Sequence, residues 1–257
     1  MSRQLSNTPL RLRVSPMNPA KRLYRRALHA IDRRSLPTVG EAQAIAHPFD
    51  AEHGVDTGGY IPGETLSDDL YSTDYYGIAP SALALALDHL AATGIDPRRF
   101  TFIDMGCGKG RAMLVASRLP FERIAGIELS GELCAAARGN VRSFQPHWPV
   151  LSSFDILHAD VTSCALPQTP LVVFLYHPFL GPTLRQVLRG LDDSVREHPR
   201  EVYLLYANPT YDAIMAEFPF LAQLWFYKLP LSPEDAAADR HGITHETFAL
   251  YRHDPRK

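Results

Sequence analysis

From residue 80 onward, short apolar runs alternate with longer amphipathic stretches. PSALALALDHLAAT, from Pro80, has Leu and Ala at period two, but both are strong helix formers, and Leu83, Leu87 and Leu90 share one helical face. With a proline suited to a first turn, this stretch predicts a helix. FTFIDM (100–105) predicts a buried strand, KGRAMLVASRL a helix, RIAGIEL (123–129) a strand and SGELCAAARGNVRSF a helix. Ser130 is the expected N-cap of that last helix, with Glu132 in its first turn. FDILHAD (154–160) follows as a strand; PLVVFLYHPF (170–179) is apolar almost throughout and predicts a central one. TLRQVLRGLDDSVREH reads as a helix, EVYLLYANP (201–209) as a second central strand and YDAIMAEF as a helix. LWFYKLPL and ETFALYRH, around a polar loop, predict a final antiparallel pair. This alternation predicts an α/β fold: a doubly wound, mostly parallel sheet with helices on both faces. In such sheets ligands bind at the carboxyl ends of the strands, near the switch point beside the first strand. Residues just after each strand therefore matter most.

The first 78 residues follow no such pattern. Residues 35–78, with FDAEHGVDTGGYIPGETL, are rich in Gly, Pro, Asp and Thr and predict an ordered but irregular segment. Residues 1–34 carry Arg3, Arg11, Arg13, Lys21, Arg22, Arg25, Arg26, Arg33 and Arg34 against one acid, Asp32. Within them KRLYRRALHAI is a basic amphipathic helix, with Leu23, Ala27 and Ile31 four apart. Such a helix suits nucleic acid, an acidic partner or a membrane surface, and its composition is that of a mitochondrial presequence. The plainer reading is a solvated helix packing its apolar stripe on the domain. The expected division is a basic extension and irregular capping segment over 1–78 and one α/β domain over 79–257.

Composition narrows the partners. A net charge of -2 argues against a nucleic-acid-coating protein. No apolar run approaches the ~18 residues of a membrane span, and the start of the chain lacks the apolar core of a secretory signal. Cys107, Cys134 and Cys164 have neither metal spacing nor an even framework and read as reduced thiols of a cytoplasmic protein. The histidines have no ligand spacing, so no metal is expected.

The chemistry concentrates in FIDMGCGKGRA (102–112). Gly106, Gly108 and Gly110, with Cys107 among them, make a strand-to-helix turn over which a ligand can approach the backbone, and the next helix offers amides to an anion. Glycines alone are a weak signal; the acids sharpen it. Asp104 closes the first strand, where a pyrophosphate would be repelled and an ammonium attracted. Glu128 ends the second strand, about twenty residues beyond the glycines, where an acid accepts ribose hydroxyls. Asp160 ends the third, placed for an adenine amine, although a polar residue there also serves as a plain strand-end cap. A ribose, an amino group and no phosphate describe S-adenosylmethionine.

FIDMGCGKG resembles motif I of the class I S-adenosylmethionine-dependent methyltransferases, IAGIELS their second motif and HADV their third, over residues 70–253. The resemblance implies a Rossmann-like sheet of seven strands with an antiparallel last strand. It assigns cofactor contacts to Asp104, Gly106, Cys107, Gly108, Gly110, Glu128 and Asp160, and implies that the segment holding Tyr71, Tyr75 and Tyr76 folds over the cofactor, Tyr76 being the residue chosen. GVDTGG and YYGIAP are similar to a bacterial subgroup, and the glycine turn is similar to Dot1-like protein-lysine methyltransferases. On the acceptor side, Tyr176, His177, Pro178 and Phe179 stand where amino-directed members carry Asn or Asp, Pro, Pro and an aromatic. Here His177 replaces the usual acceptor and reads as an orienting group or general base. Asn208-Pro209 is a weaker candidate beside it. The expected activity is methyl transfer to a nitrogen of a protein or small molecule. A nicotinamide-dependent oxidoreductase is the alternative, opposed by Asp104 and the G-x-G-x-G spacing; a non-catalytic binding module is another, opposed by the intact acids and glycines.

Overall fold

The computed structural model describes residues 47–62, 74–176 and 179–256. The basic stretch of residues 1–34, Tyr71, His177 and Pro178 lie outside them.

Seven strands form one sheet: β3 (Thr101–Met105), β4 (Arg123–Glu128), β5 (Ser153–His158), β6 (Leu171–Tyr176), β7 (Val202–Ala207), β8 (Ala222–Pro230) and β9 (His245–His253). A two-stranded antiparallel pair, β1 (Tyr60–Ile61) and β2 (Tyr75–Tyr76), stands apart. The large sheet runs β5-β4-β3-β6-β7-β9-β8. Every pairing from β5 to β7 is parallel, while β9 is antiparallel to both β7 and β8. The fold is thus Rossmann-like and doubly wound, with the last strand reversed. β3 lies between β4 and β6, so the chain changes direction across the sheet beside β3, and a crevice opens at its carboxyl end.

Strand alternation sends successive side chains to two cores. Phe102, Ile124, Phe174, Leu205 and Phe248 pack beneath α2 (Pro80–Ala91) and α3 (Arg111–Ala116). Ile103, Ile127, Leu175, Leu204 and Ala249 pack on the other face beneath α5 (Gly181–Glu197) and α6 (Asp212–Met215). Between β4 and β5 runs α4 (Gly131–Ser143), capped as expected: Ser130 Oγ accepts from Leu133 N at 3.3 Å. β3 and β7 are buried throughout and β6 in all but its last residue, in keeping with their apolar runs.

Three details differ from the sequence expectation. The irregular segment contains a short helix, α1 (Pro48–His53), capped by His47 and anchored by the buried Phe49. The polar loop before β9 contains α7 (Pro233–Ala238), started by Ser232 and a proline in its first turn. The helices after β3 and β7 are only 6 and 4 residues long. Among the described residues no helix is long and apolar enough to cross a membrane, and no cluster of His, Cys, Asp and Glu could hold a metal ion.

Candidate active site

The glycine turn leaves β3 and enters α3 with Gly106, Gly108 and Gly110 all at positive φ (88°, 54° and 89°), a backbone that only glycine adopts without strain. The turn is tied down by its own amides. Gly106 and Cys107 donate to Ile127 O (2.8 and 3.1 Å), Gly110 donates to Cys107 O (2.8 Å), and Gly108 donates to Glu128 Oε2 (2.9 Å). The Lys109 amide goes to the Tyr75 hydroxyl. The amides of the turn itself are therefore committed to protein acceptors, whereas the start of α3, which the sequence suggested for an anion, carries no side-chain cap. Cys107 is buried, and burial pushes its thiol well above the ordinary range, so it packs as a thiol.

Asp104 is 3% exposed and has no hydrogen-bond partner among the described residues. Burial, and then the neighbouring charge of Glu128, push its carboxyl up to about 8. Glu128, at the end of the adjacent strand, is held by two amides: Gly108 N on Oε2, and Ser130 N on Oε1 at 2.8 Å. Those bonds favour its charged form, but burial outweighs them and its pKa is raised. Asp160 has a structural job: Oδ1 accepts from Thr162 N and Thr162 Oγ1, both at 2.8 Å, starting the 3₁₀ turn Val161–Ser163.

The two tyrosines of β2 divide unexpectedly. Tyr75, buried, lies against Gly108; a Cβ on Gly108 would overlap its ring. Its hydroxyl donates to Thr57 O at 2.6 Å. Tyr76 turns the other way, its hydroxyl donating to Asp239 Oδ2. The capping segment is fastened to the turn by Lys109 Nζ on Asp56 Oδ1 (3.0 Å) and Gly58 O (2.9 Å), and by Asn140, which bridges Asp56 and Lys109.

At the ends of β6 and β7 the structure assembles a group that sequence reasoning missed. Glu246, 1% exposed, accepts from Tyr176 Oη (3.0 Å) and Asn208 Nδ2 (2.8 Å). Asn208 adopts φ 49°, a left-handed conformation held by its bonds with Thr247. Burial pushes Glu246 up to about 7 and Tyr176 well above its ordinary value. The available signal was topological: an antiparallel strand brings its start, not its end, to the carboxyl edge of a parallel sheet. Phe179 packs in the core beneath α5 and is 8% exposed.

Glu246 makes a direct test. An acid raised in the folded state adds stability that is complete below its unfolded value of about 4.5 and is lost as pH rises through about 7. The melting temperature of wild type relative to Glu246→Gln is expected to fall between pH 5 and 8, and a difference that stays constant would show an acid ionised throughout.

Glycine turn, switch-point strand and acid-tipped second strand stand together at one edge of the sheet, at the residues on which the sequence resembles the class I S-adenosylmethionine-dependent methyltransferases. No family model matches the chain, and no curated protein does. Among solved structures, it is similar to magnesium protoporphyrin IX methyltransferase from Synechocystis with bound SAM, at 11% identity over 68% of this chain and 79% of that one, TM-score 0.47. A SAM-dependent methyltransferase from Leishmania major is similar at 10% identity over 66% and 72%, TM-score 0.48. The 23S rRNA methyltransferase ErmE is similar at 14% identity over 66% and 67%, TM-score 0.43.

Proposed function

We propose that this protein is an S-adenosylmethionine-dependent methyltransferase acting on a nitrogen of its acceptor. The observation that carries this reading is Asp104, a buried carboxyl group beside the glycine turn with no hydrogen bond of its own among the described residues. Leaving such a group unpaired is costly, and a ligand ammonium removes the cost. Glu128 has its carboxylate aimed by two amides and keeps lone pairs for ribose hydroxyls. The residues present thus fit the cofactor: Asp104 for the amino group, Glu128 for the ribose, and Asp160 beside β5 for the adenine.

The bound cofactor would supply a methyl group on a sulfonium, transferred in line to a nucleophile. The chain's own work is to orient that nucleophile and take its proton. Tyr176, donating its own hydroxyl proton to Glu246, is left with an oxygen lone pair for an acceptor N–H. His177 follows Tyr176 directly and is proposed to orient or deprotonate the same nitrogen. Orientation of this kind supplies up to roughly 7–11 kcal/mol of a barrier.

The test is calorimetric titration with S-adenosylmethionine, S-adenosylhomocysteine and NADH. Micromolar binding of the first two and none of the third is expected. Binding of NADH instead would favour the oxidoreductase reading.

A further inference from the structure

Beside the glycine turn lies an open cleft of about 490 Å³, mouth included, lined by His47, Tyr76, Arg111, Asp235, Asp239 and Arg240 among others. Most of its polar groups are engaged. Asp235 Oδ2 accepts from Ser81 N and Ser81 Oγ (2.7 and 2.6 Å). Asp239 accepts from Tyr76, from His241 N (2.8 Å) and from Ile243 N (3.0 Å). His47 accepts from Phe49 N, and burial with the Arg111 charge holds it down to about 4, so it is neutral at pH 7. Arg240 stacks 4.0 Å over the Tyr60 ring.

Arg111 is different. It is the first residue of α3, directly after the glycine turn, and only 4% exposed. Three bonds fix its guanidinium: Nε to Thr57 Oγ1 at 2.7 Å, and Nη1 to Gly77 O and Ile78 O at 3.2 Å. Its Nη2 is buried and makes no hydrogen bond among the described residues. The nearest anion, Asp50 Oδ1, is 3.9 Å away and cannot turn toward it. Asp50 already accepts from Thr57 Oγ1, from Thr57 N at 2.9 Å and from Gly58 N at 2.6 Å. A buried guanidinium nitrogen without an acceptor is costly, and one facing a cleft is a ready donor to a carboxylate.

We propose that Arg111 is the anion anchor of this cleft, its Nη2 taking one oxygen of a ligand carboxylate. The committed amides of the glycine turn strengthen the case, because an anion arriving there finds none of those five donors free. The inference rests on the methyltransferase reading. Two sources carry the same chemistry: the amino-acid carboxylate of the cofactor, and an acidic group on the methyl acceptor.

The experiment follows Arg111 side-chain nitrogen resonances in ¹⁵N-arginine-labelled protein, with calorimetry on wild type, Arg111→Lys and Gly77→Ala. The alanine Cβ would stand 2.7 Å from Arg111 Cζ and Nη1, displacing the guanidinium while keeping its charge. If the cofactor is the source, S-adenosylhomocysteine shifts the Arg111 Nη signals and both variants bind it about tenfold more weakly. Its decarboxylated analogue then binds all three proteins alike. If the acceptor is the source, all three bind S-adenosylhomocysteine equally, and acetate added to that complex shifts the Nη signals in wild type only. Nη signals that move with neither ligand overturn the inference while leaving the cofactor reading standing. Failure of folded wild type to bind S-adenosylhomocysteine at all removes both.

Discussion

Asp104→Asn is expected to raise the stability of the ligand-free protein at alkaline pH and to weaken cofactor binding about a hundredfold, two effects of opposite sign from one atom. In the ligand-free protein burial and the Glu128 charge push the Asp104 carboxyl up to about 8, from about 3.8 in the unfolded chain. Its contribution to stability is complete below the lower value and is lost as pH rises through the upper one. Asparagine has the same shape and does not ionise. At pH 9 the variant should therefore exceed wild type by roughly 1–3 kcal/mol, and at pH 5, nearer the lower value, by clearly less. Binding runs the other way. An ammonium must meet an ionised Asp104, so S-adenosylhomocysteine binding to wild type should release a proton and strengthen as pH rises from 6 to 8. The variant should show neither effect and bind about a hundredfold more weakly. Calorimetry in buffers of different ionisation enthalpy counts the proton, and thermal melts at pH 5 and 9 read the stability. A variant that binds like wild type and melts like it at both pH values would make Asp104 a packing residue.

Gly126→Ala should be the most damaging single-methyl change outside the turn. Gly126 lies in the middle of β4, and a Cβ there would stand 2.5 Å from Met113 Sδ, 2.6 Å from Cys107 Sγ and 2.8 Å from Cys107 Cβ. None of these atoms is on the surface, and Cys107 belongs to the glycine turn. Overpacking of this kind costs roughly 1–3 kcal/mol, and pushing Cys107 outward also moves the amide that aligns Glu128. Lower stability and weaker cofactor binding are expected together. Gly139→Ala is the control: nothing stands within 4 Å of its Cβ, and it lies inside α4, so it should stabilise by about 0.5–1 kcal/mol. Chemical denaturation of both variants is the measurement; equal effects of the two would contradict the packing argument.

How far these features were readable in the sequence depended on the length over which a pattern ran. LVVFLY and VYLLYA announce central strands because each residue repeats the message. A two-residue strand carries no period, so Tyr75 and Tyr76 could not be told apart; the structure sets Tyr75 against the glycine turn and Tyr76 beside Asp239. Asp104 and Glu128 were picked out because the search followed strand ends, where the structure places both. Glu246 escaped the same search because it opens a strand, and its place depends on that strand running backwards. The commitment of the turn amides was invisible for a different reason. It arises from pairing with β4 and Tyr75, through contacts that no local spacing encodes.

The reversed strand also sets an order of assembly. β9 is the last of the seven strands to leave the ribosome, yet it belongs in the interior of the sheet, between β7 and β8. Until it emerges, β8 has no partner, and the inner edge of β7 is open to strands from neighbouring nascent chains. The half of the crevice holding Asp104 and Glu128 needs only β3 and β4 and can form early. Glu246 arrives with the closing strand. On the proposed function, a chain whose synthesis or folding stalls before β9 inserts would keep the residues proposed for the nucleoside but lack Glu246, so the group at the ends of β6 and β7 reports on whether the sheet has been completed.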